Sequence, residues 1–158
     1  MRTKPTRPIP RPGEGKRGPE GHLGYLVRQA NAAVRAAMER ALADLAVTPP
    51  QFAVLTMIAA YPGISGADLA RLTFLTPQTI TVIVGNLEKA GSIGKSAHAV
   101  HGRILQLKAT PKGRALLKRC RGRVKEVEER LGRLAGRPQE RIVRQWLGAV
   151  AETLAAEH

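Results

Sequence analysis

From residue 22 to about residue 47, apolar side chains recur at three- and four-residue steps, through Leu23, Leu26, Val27, Ala30, Val34, Met38, Leu42 and Leu45. That spacing predicts an amphipathic helix, with Arg28, Arg35, Glu39 and Arg40 between the apolar positions. Thr48-Pro-Pro50 stops this helix and starts the next. Residues 51–61 are short and strongly apolar (Phe52, Val54, Leu55, Met57, Ile58), the pattern of a core helix, and Pro62-Gly63 ends it. Ser65-Gly-Ala-Asp68 has the form of a capping box opening a helix over 66–74. Thr76 is placed as the N-cap, and Pro77 as the first residue, of a further helix running to about Ala90, with Gly91 as its natural stop. Two short helices joined by a tight turn around Leu75, directly after a third, have helix-turn-helix spacing.

Residues 92–96 and 103–109 are short strand-like runs separated by 97–102, and predict a two-stranded hairpin. Thr110-Pro-Lys-Gly113 caps a long helix to about Leu134. Gly136-Arg-Pro138 breaks it. A last helix over 139–156 gathers Ile142, Val143, Trp146, Leu147, Val150 and Leu154 on one face. The expected fold is α+β, mostly α. Residues 1–21 stand apart, with five prolines, four glycines, six basic residues and two acids. They predict a solvated, polyproline-like tail outside the domain of residues 22–158.

The chain has 158 residues, which suits one domain. No apolar run approaches the roughly 20 residues of a membrane span. The basic N-terminus lacks the apolar stretch of a secretory signal. The single Cys120 excludes a disulfide framework and a cysteine-based zinc site. These features predict a cytoplasmic protein. The acids are scattered, with no paired carboxylates and no Ser/His/Asp grouping, so we expect no enzyme, and neither cofactor nor metal.

Charge changes the picture most. The formal net charge is +14. From Lys89 to Lys125 there are eleven Lys or Arg and no Asp or Glu. A solvated face normally mixes both signs, so a one-signed stretch beside a helix-turn-helix reads as a footprint for phosphates. A membrane surface would want aromatic residues opposite the cations, and the basic stretch has none. Single-stranded nucleic acid wants several stacking platforms, and five aromatics set mostly within apolar patterns do not supply them. Double-stranded DNA remains as the expected partner.

Several segments together resemble the MarR family of winged-helix transcription regulators. They are Val47-Thr-Pro-Pro-Gln-Phe-Ala-Val-Leu55, Ile64-Ser-Gly-Ala-Asp-Leu-Ala70, Thr76-Pro-Gln-Thr-Ile-Thr81, Leu87-Glu-Lys-Ala-Gly91 and Thr110-Pro-Lys-Gly113. The similarity spans about residues 22–156. It implies a winged helix-turn-helix over 50–109 and a homodimer formed by helices over 22–47 and 111–156. Leu26, Val34 and Met38 would then meet Ile142, Trp146, Val150 and Leu154. It also implies a sequence-specific repressor of transcription, relieved by a small phenolic or acidic effector. The alternative from the residues is a low-specificity architectural DNA- or RNA-binding protein.

On the helix from Thr76, Ile80, Ile83, Val84, Leu87 and Ala90 form the inward stripe. Gln78 and Asn86 can each take adenine N6/N7 in two bonds, while Thr79, Thr81 and Val82 can meet a thymine methyl or a phosphate. Ser65, Thr76, Lys89, Lys95, His98, His101 and Arg103 complete the expected DNA contacts. Family members often carry Arg near 82 and 86 and Asp near 85, where this chain has Val82, Asn86 and Gly85. The wing's common Asp-x-Arg is His101-Gly-Arg103.

Other motifs carry less. Gly13-Glu-Gly-Lys-Arg-Gly18 matches a dinucleotide fingerprint in letters, but prolines rather than a strand precede it. Ser92-Ile-Gly-Lys-Ser96 resembles the end of a phosphate-binding loop, but Lys89 stands where its first glycine belongs. His98 and His101 lack a carboxylate to complete a metal site, and their protonation would add charge to the wing. Cys120, flanked by Arg119 and Arg121, is a candidate redox-responsive thiol, because adjacent cations favour the thiolate.

Overall fold

The computed structural model describes residues 9–97 and 105–155. In chain order the helices and strands are α1 (Leu23–Leu42), α2 (Pro49–Ala60), α3 (Gly66–Thr73), α4 (Pro77–Lys89), β1 (Ile93–Ala97), β2 (Leu105–Ala109), α5 (Pro111–Ala135) and α6 (Arg137–Ala155), with short 3₁₀ turns at Gly15–Arg17 and Ala43–Leu45. The chain divides into two compact units within α1, between Ala37 and Met38.

In the N-terminal unit, the segment expected to be a free tail is tied down from Pro10 onward. The Arg17 guanidinium donates from Nε to Gln29 Oε1 (3.0 Å) and from Nη1 to the Pro10 carbonyl (3.0 Å). Gln29 Nε2 donates to the Arg17 carbonyl (3.0 Å). Left-handed backbone at Gly13 and Gly15 turns the chain back, which composition alone does not reveal. Gly13–Gly18 is thus a turn and a 3₁₀ helix, with no strand before it among the described residues.

The second unit is built on α2, which is apolar all round and buries Val54, Leu55 and Ile58. Its start comes earlier than apolar spacing suggests, because Pro49 and Pro50 occupy first-turn positions whose N–H groups need no partner. A capping box secures it: Thr48 Oγ1 accepts from Gln51 N (3.3 Å), and Thr48 N donates to Gln51 Oε1 (2.9 Å). Around α2 pack Leu69 of α3, Ile80, Ile83, Val84 and Leu87 of α4, Ile93 of β1, Leu107 of β2 and Leu117 of α5. A second cluster joins Leu42, Val47, Cys120 and Val124, with Met38 and Ala41 against it.

β1 and β2 are antiparallel, with Ile93 opposite Ala109 and Lys95 opposite Leu107. The other edge of β2 pairs with the turn before α3, where Gly63 N donates to the Leu107 carbonyl (2.8 Å) and Leu107 N to the Ile64 carbonyl (3.1 Å). α5 follows a Thr110 cap and buries Gly113, Leu117, Cys120 and Val124 along one stripe. The expected three-residue break before the last helix is a single residue, Gly136, in left-handed backbone. Pro138 lies in the first turn of α6, where it is tolerated.

Candidate nucleic-acid interface

α3 and α4 are joined through Phe74 and Leu75, and Thr76 caps α4. Thr76 Oγ1 accepts from Thr79 N (3.2 Å) and lies 2.9 Å from Thr79 Oγ1. The Thr81 hydroxyl donates back to the Pro77 carbonyl (2.9 Å). These three hydroxyls therefore serve the helix. Ile80, Ile83, Val84 and Leu87 are buried. On the opposite side Gln78, Val82, Gly85 and Lys89 follow one another at steps of four, three and four, and so form a single ridge. Asn86 flanks it. Gln78, Asn86 and Lys89 are exposed, and Val82 is 62% exposed. Neither amide makes a side-chain hydrogen bond among the described residues, so both are free to read base edges.

Gly85 sits inside this ridge, and a Cβ added there would meet nothing within 4 Å. Gly85→Ala is therefore expected to stabilise the fold by about 1 kcal/mol through helix propensity. Thermal unfolding should show a rise of roughly 2–4 °C, and an unchanged or lower midpoint would contradict the open surroundings.

Two of the expected contacts are committed elsewhere. Ser65 Oγ donates to Asp68 Oδ2 (2.7 Å) and accepts from Asp68 N (3.1 Å), so it is the cap of α3 rather than a free hydroxyl. That hydroxyl and the Arg71 guanidinium hold the Asp68 carboxyl below the usual carboxylate range. Lys95 Nζ donates to Glu88 Oε2 (2.6 Å), because the start of β1 returns past the last turn of α4. Glu88 lies one residue before the acid-free stretch, so counting charge along the chain missed it. His98, His101 and Arg103 lie outside the described residues.

The cations of α5 divide between two flanks. Arg114, Lys118, Arg121 and Lys125 follow at steps of four, three and four on one side, and all are exposed. On the other side Arg123 grips Asp44, from Nη2 to Oδ2 at 2.6 Å and from Nε to Oδ2 at 3.0 Å. This pairing holds the Asp44 carboxyl below its ordinary range.

Cys120 is fully buried in the second cluster. Burial pushes its thiol up, outweighing the Arg119 charge that pulls it down. The redox-responsive reading is thus corrected: neighbours in sequence point outward from the helix, while the sulfur points into the core.

Among the described residues α6 contributes none that is buried. Ile142, Val143, Trp146, Leu147 and Leu154 are all exposed in the single chain, and Val150 is half-buried. Leu26 and Val34 are half-buried in the N-terminal unit, and Met38 packs against the second core cluster.

A three-helix unit with an exposed ridge on its last helix, followed by a two-stranded wing, defines a winged helix-turn-helix protein. Comparison with known proteins agrees. A MarR family model matches residues 47–104. The HTH-type transcriptional repressor Rv2887 of Mycobacterium tuberculosis is 38% identical over 126 residues, covering 79% of this chain and 90% of the relative. The transcriptional repressor CouR bound to a 23-mer DNA duplex superposes with a TM-score of 0.77 at 28% identity, covering 82% of this chain and 92% of that one. Rv2887 in complex with salicylic acid superposes with a TM-score of 0.67 at 34% identity, covering 84% and 98%. This chain belongs to the MarR family.

Proposed function

We propose that the chain is a transcriptional repressor that binds specific duplex DNA as a homodimer and is released by a small phenolic or acidic effector. A cytoplasmic site of action follows from the DNA target. The observation that carries the reading is the α4 ridge, where two unengaged amides, an exposed valine and a lysine stand opposite a fully buried stripe. A helix of this kind presents its N-terminal half to base edges in the major groove, and Lys89 at its far end suits a phosphate. The DNA complex of CouR and the salicylic acid complex of Rv2887 support the two ligand classes.

The homodimer is supported by α6. Five large apolar side chains lie exposed along it, more than a solvated helix carries without a partner. The same face on a second copy is the expected cover, with Ile142 and Leu154 the most exposed of the five.

The test is a specificity ratio. Genomic fragments captured by the purified protein should bind about 10³-fold or more tightly than random duplex of equal length. Gln78→Ala should relax discrimination at one base position while leaving affinity for random duplex unchanged. A ratio near unity would instead identify a low-specificity architectural protein. Preference untouched by Gln78→Ala would remove Gln78 from the groove.

A further inference from the structure

Phe74 is anomalous in two independent ways. Its backbone is left-handed, with φ +55° in the turn between α3 and α4, where glycine is the residue that fits without strain. Its ring is also 79% exposed, so no packing offsets that strain in the free chain. Ala46 is left-handed too, but a methyl group leaves little apolar surface to explain. Leu75 and Thr76 follow directly, so Phe74 lies two residues from the N-cap of α4. Two residues of chain span at most about 7 Å, so the backbone of Phe74 lies close to the N-terminal end of α4, the end at which Gln78 opens the ridge. Val82 on that ridge is exposed as well, so the surface is apolar at two points among its polar side chains.

A duplex offers apolar surface of two kinds to a side chain at the groove edge: the thymine 5-methyl and the faces of deoxyribose. We propose that Phe74 is an apolar duplex contact, seated against one of these at the end of the groove occupied by α4. The inference rests on α4 being the groove element. Stacking on unpaired bases is a poorer fit, since no second aromatic lies near Phe74 in sequence and single-strand platforms use several.

The test compares the wild-type chain with Phe74→Gly, Phe74→Asn and Phe74→Leu. The probe is a genomic duplex fragment that the wild-type chain prefers, together with copies in which uracil replaces thymine. Glycine and asparagine both tolerate left-handed backbone, so their melting midpoints should equal or exceed that of the wild type. Their affinity for the fragment should nevertheless fall roughly tenfold, in the range of one good base-edge contact. The salt dependence should be unchanged, because no phosphate contact is lost. Phe74→Leu should keep most of the affinity. If removing a thymine methyl weakens the wild type but not Phe74→Gly, the contact is the methyl; equal weakening of both assigns deoxyribose.

Full affinity in both Phe74→Gly and Phe74→Asn, with the wild type still preferring its fragment, would overturn this inference and leave the reading of α4 intact. A fall in melting midpoint in both variants would make Phe74 structural and overturn it too. Loss of affinity accompanied by a change in sedimentation would place the ring between copies of the chain, again overturning it. A wild-type chain with no preference for any fragment would overturn the reading of α4, and this inference with it.

Discussion

Between about 50 and about 200 mM salt, affinity for duplex DNA is expected to fall roughly 10³–10⁵-fold, the response of roughly six to ten neutralised phosphates. The net charge of +14 supplies the cations, but their placement decides which of them act. Lys89 ends the α4 ridge and has no ion pair among the described residues. Arg114, Lys118, Arg121 and Lys125 share one exposed flank of α5, although Lys125 already lies 3.6 Å from Glu129. Lys95 and Arg123 are held by Glu88 and Asp44. A phosphate must compete for a cation that already has a carboxylate, so fewer counterions are released there. Lys89→Ala should therefore lower the slope of log affinity against log salt by about 0.9 for each copy contacting DNA. Lys95→Ala should lower it by less. Fluorescence anisotropy with a labelled duplex over a salt series gives both slopes. A flat response, or a larger effect at Lys95 than at Lys89, would refute the charge assignment.

Replacing Gly113 with alanine is expected to destabilise the fold by about 3 kcal/mol or more, the upper part of the range for overpacked interiors. The added Cβ would stand 1.9 Å from the Ser92 carbonyl oxygen and 2.8 Å from its carbon. Neither atom ends a flexible side chain. The Ser92 carbonyl accepts from Thr110 N (3.0 Å), and Ser92 N donates to the Leu87 carbonyl (2.8 Å). Thr110 Oγ1 donates to the Gly91 carbonyl (2.7 Å) and accepts from Gly113 N (3.0 Å). The end of α4, the start of β1 and the cap of α5 are thus joined through backbone at one point, and moving any of them moves the others. Against a typical total stability of about 5–15 kcal/mol, such a loss is a large fraction. Urea unfolding should show a clearly lower midpoint. Helix propensity alone would give the opposite sign, so an unchanged or raised midpoint would show that the close contact is absent.

Most elements were readable because their signals are local. The caps at Thr48, Ser65, Thr76 and Thr110 each act on an amide three residues away, and apolar periodicity marks the inward stripe of α4 residue by residue. The α4 ridge was readable for the same reason, since a helix of known phase presents its faces in a known order. The segment around Gly15 was misjudged because the turn depends on Gln29 accepting and donating across twelve residues. That Ser65 and Lys95 each have a partner within the chain could not be read from the sequence, because residue type shows capacity for a contact and not which neighbour engages it.

By itself the sequence determined the order and type of the elements and the excess of positive charge, which follow from residue types and short spacings, and its motifs carried the resemblance to the family. Only the tertiary structure decided which charges are cancelled, as with Arg123 and Asp44, 79 residues apart. It also decided that Cys120 faces the core despite its flanking arginines, and that Phe74 is left exposed in strained backbone. Gly85 and Gly113 show the division most clearly. Both are helical glycines, and propensity gives alanine the same favourable sign at each. One faces open space and the other a carbonyl oxygen, because packing is set by what distant segments bring to the same place.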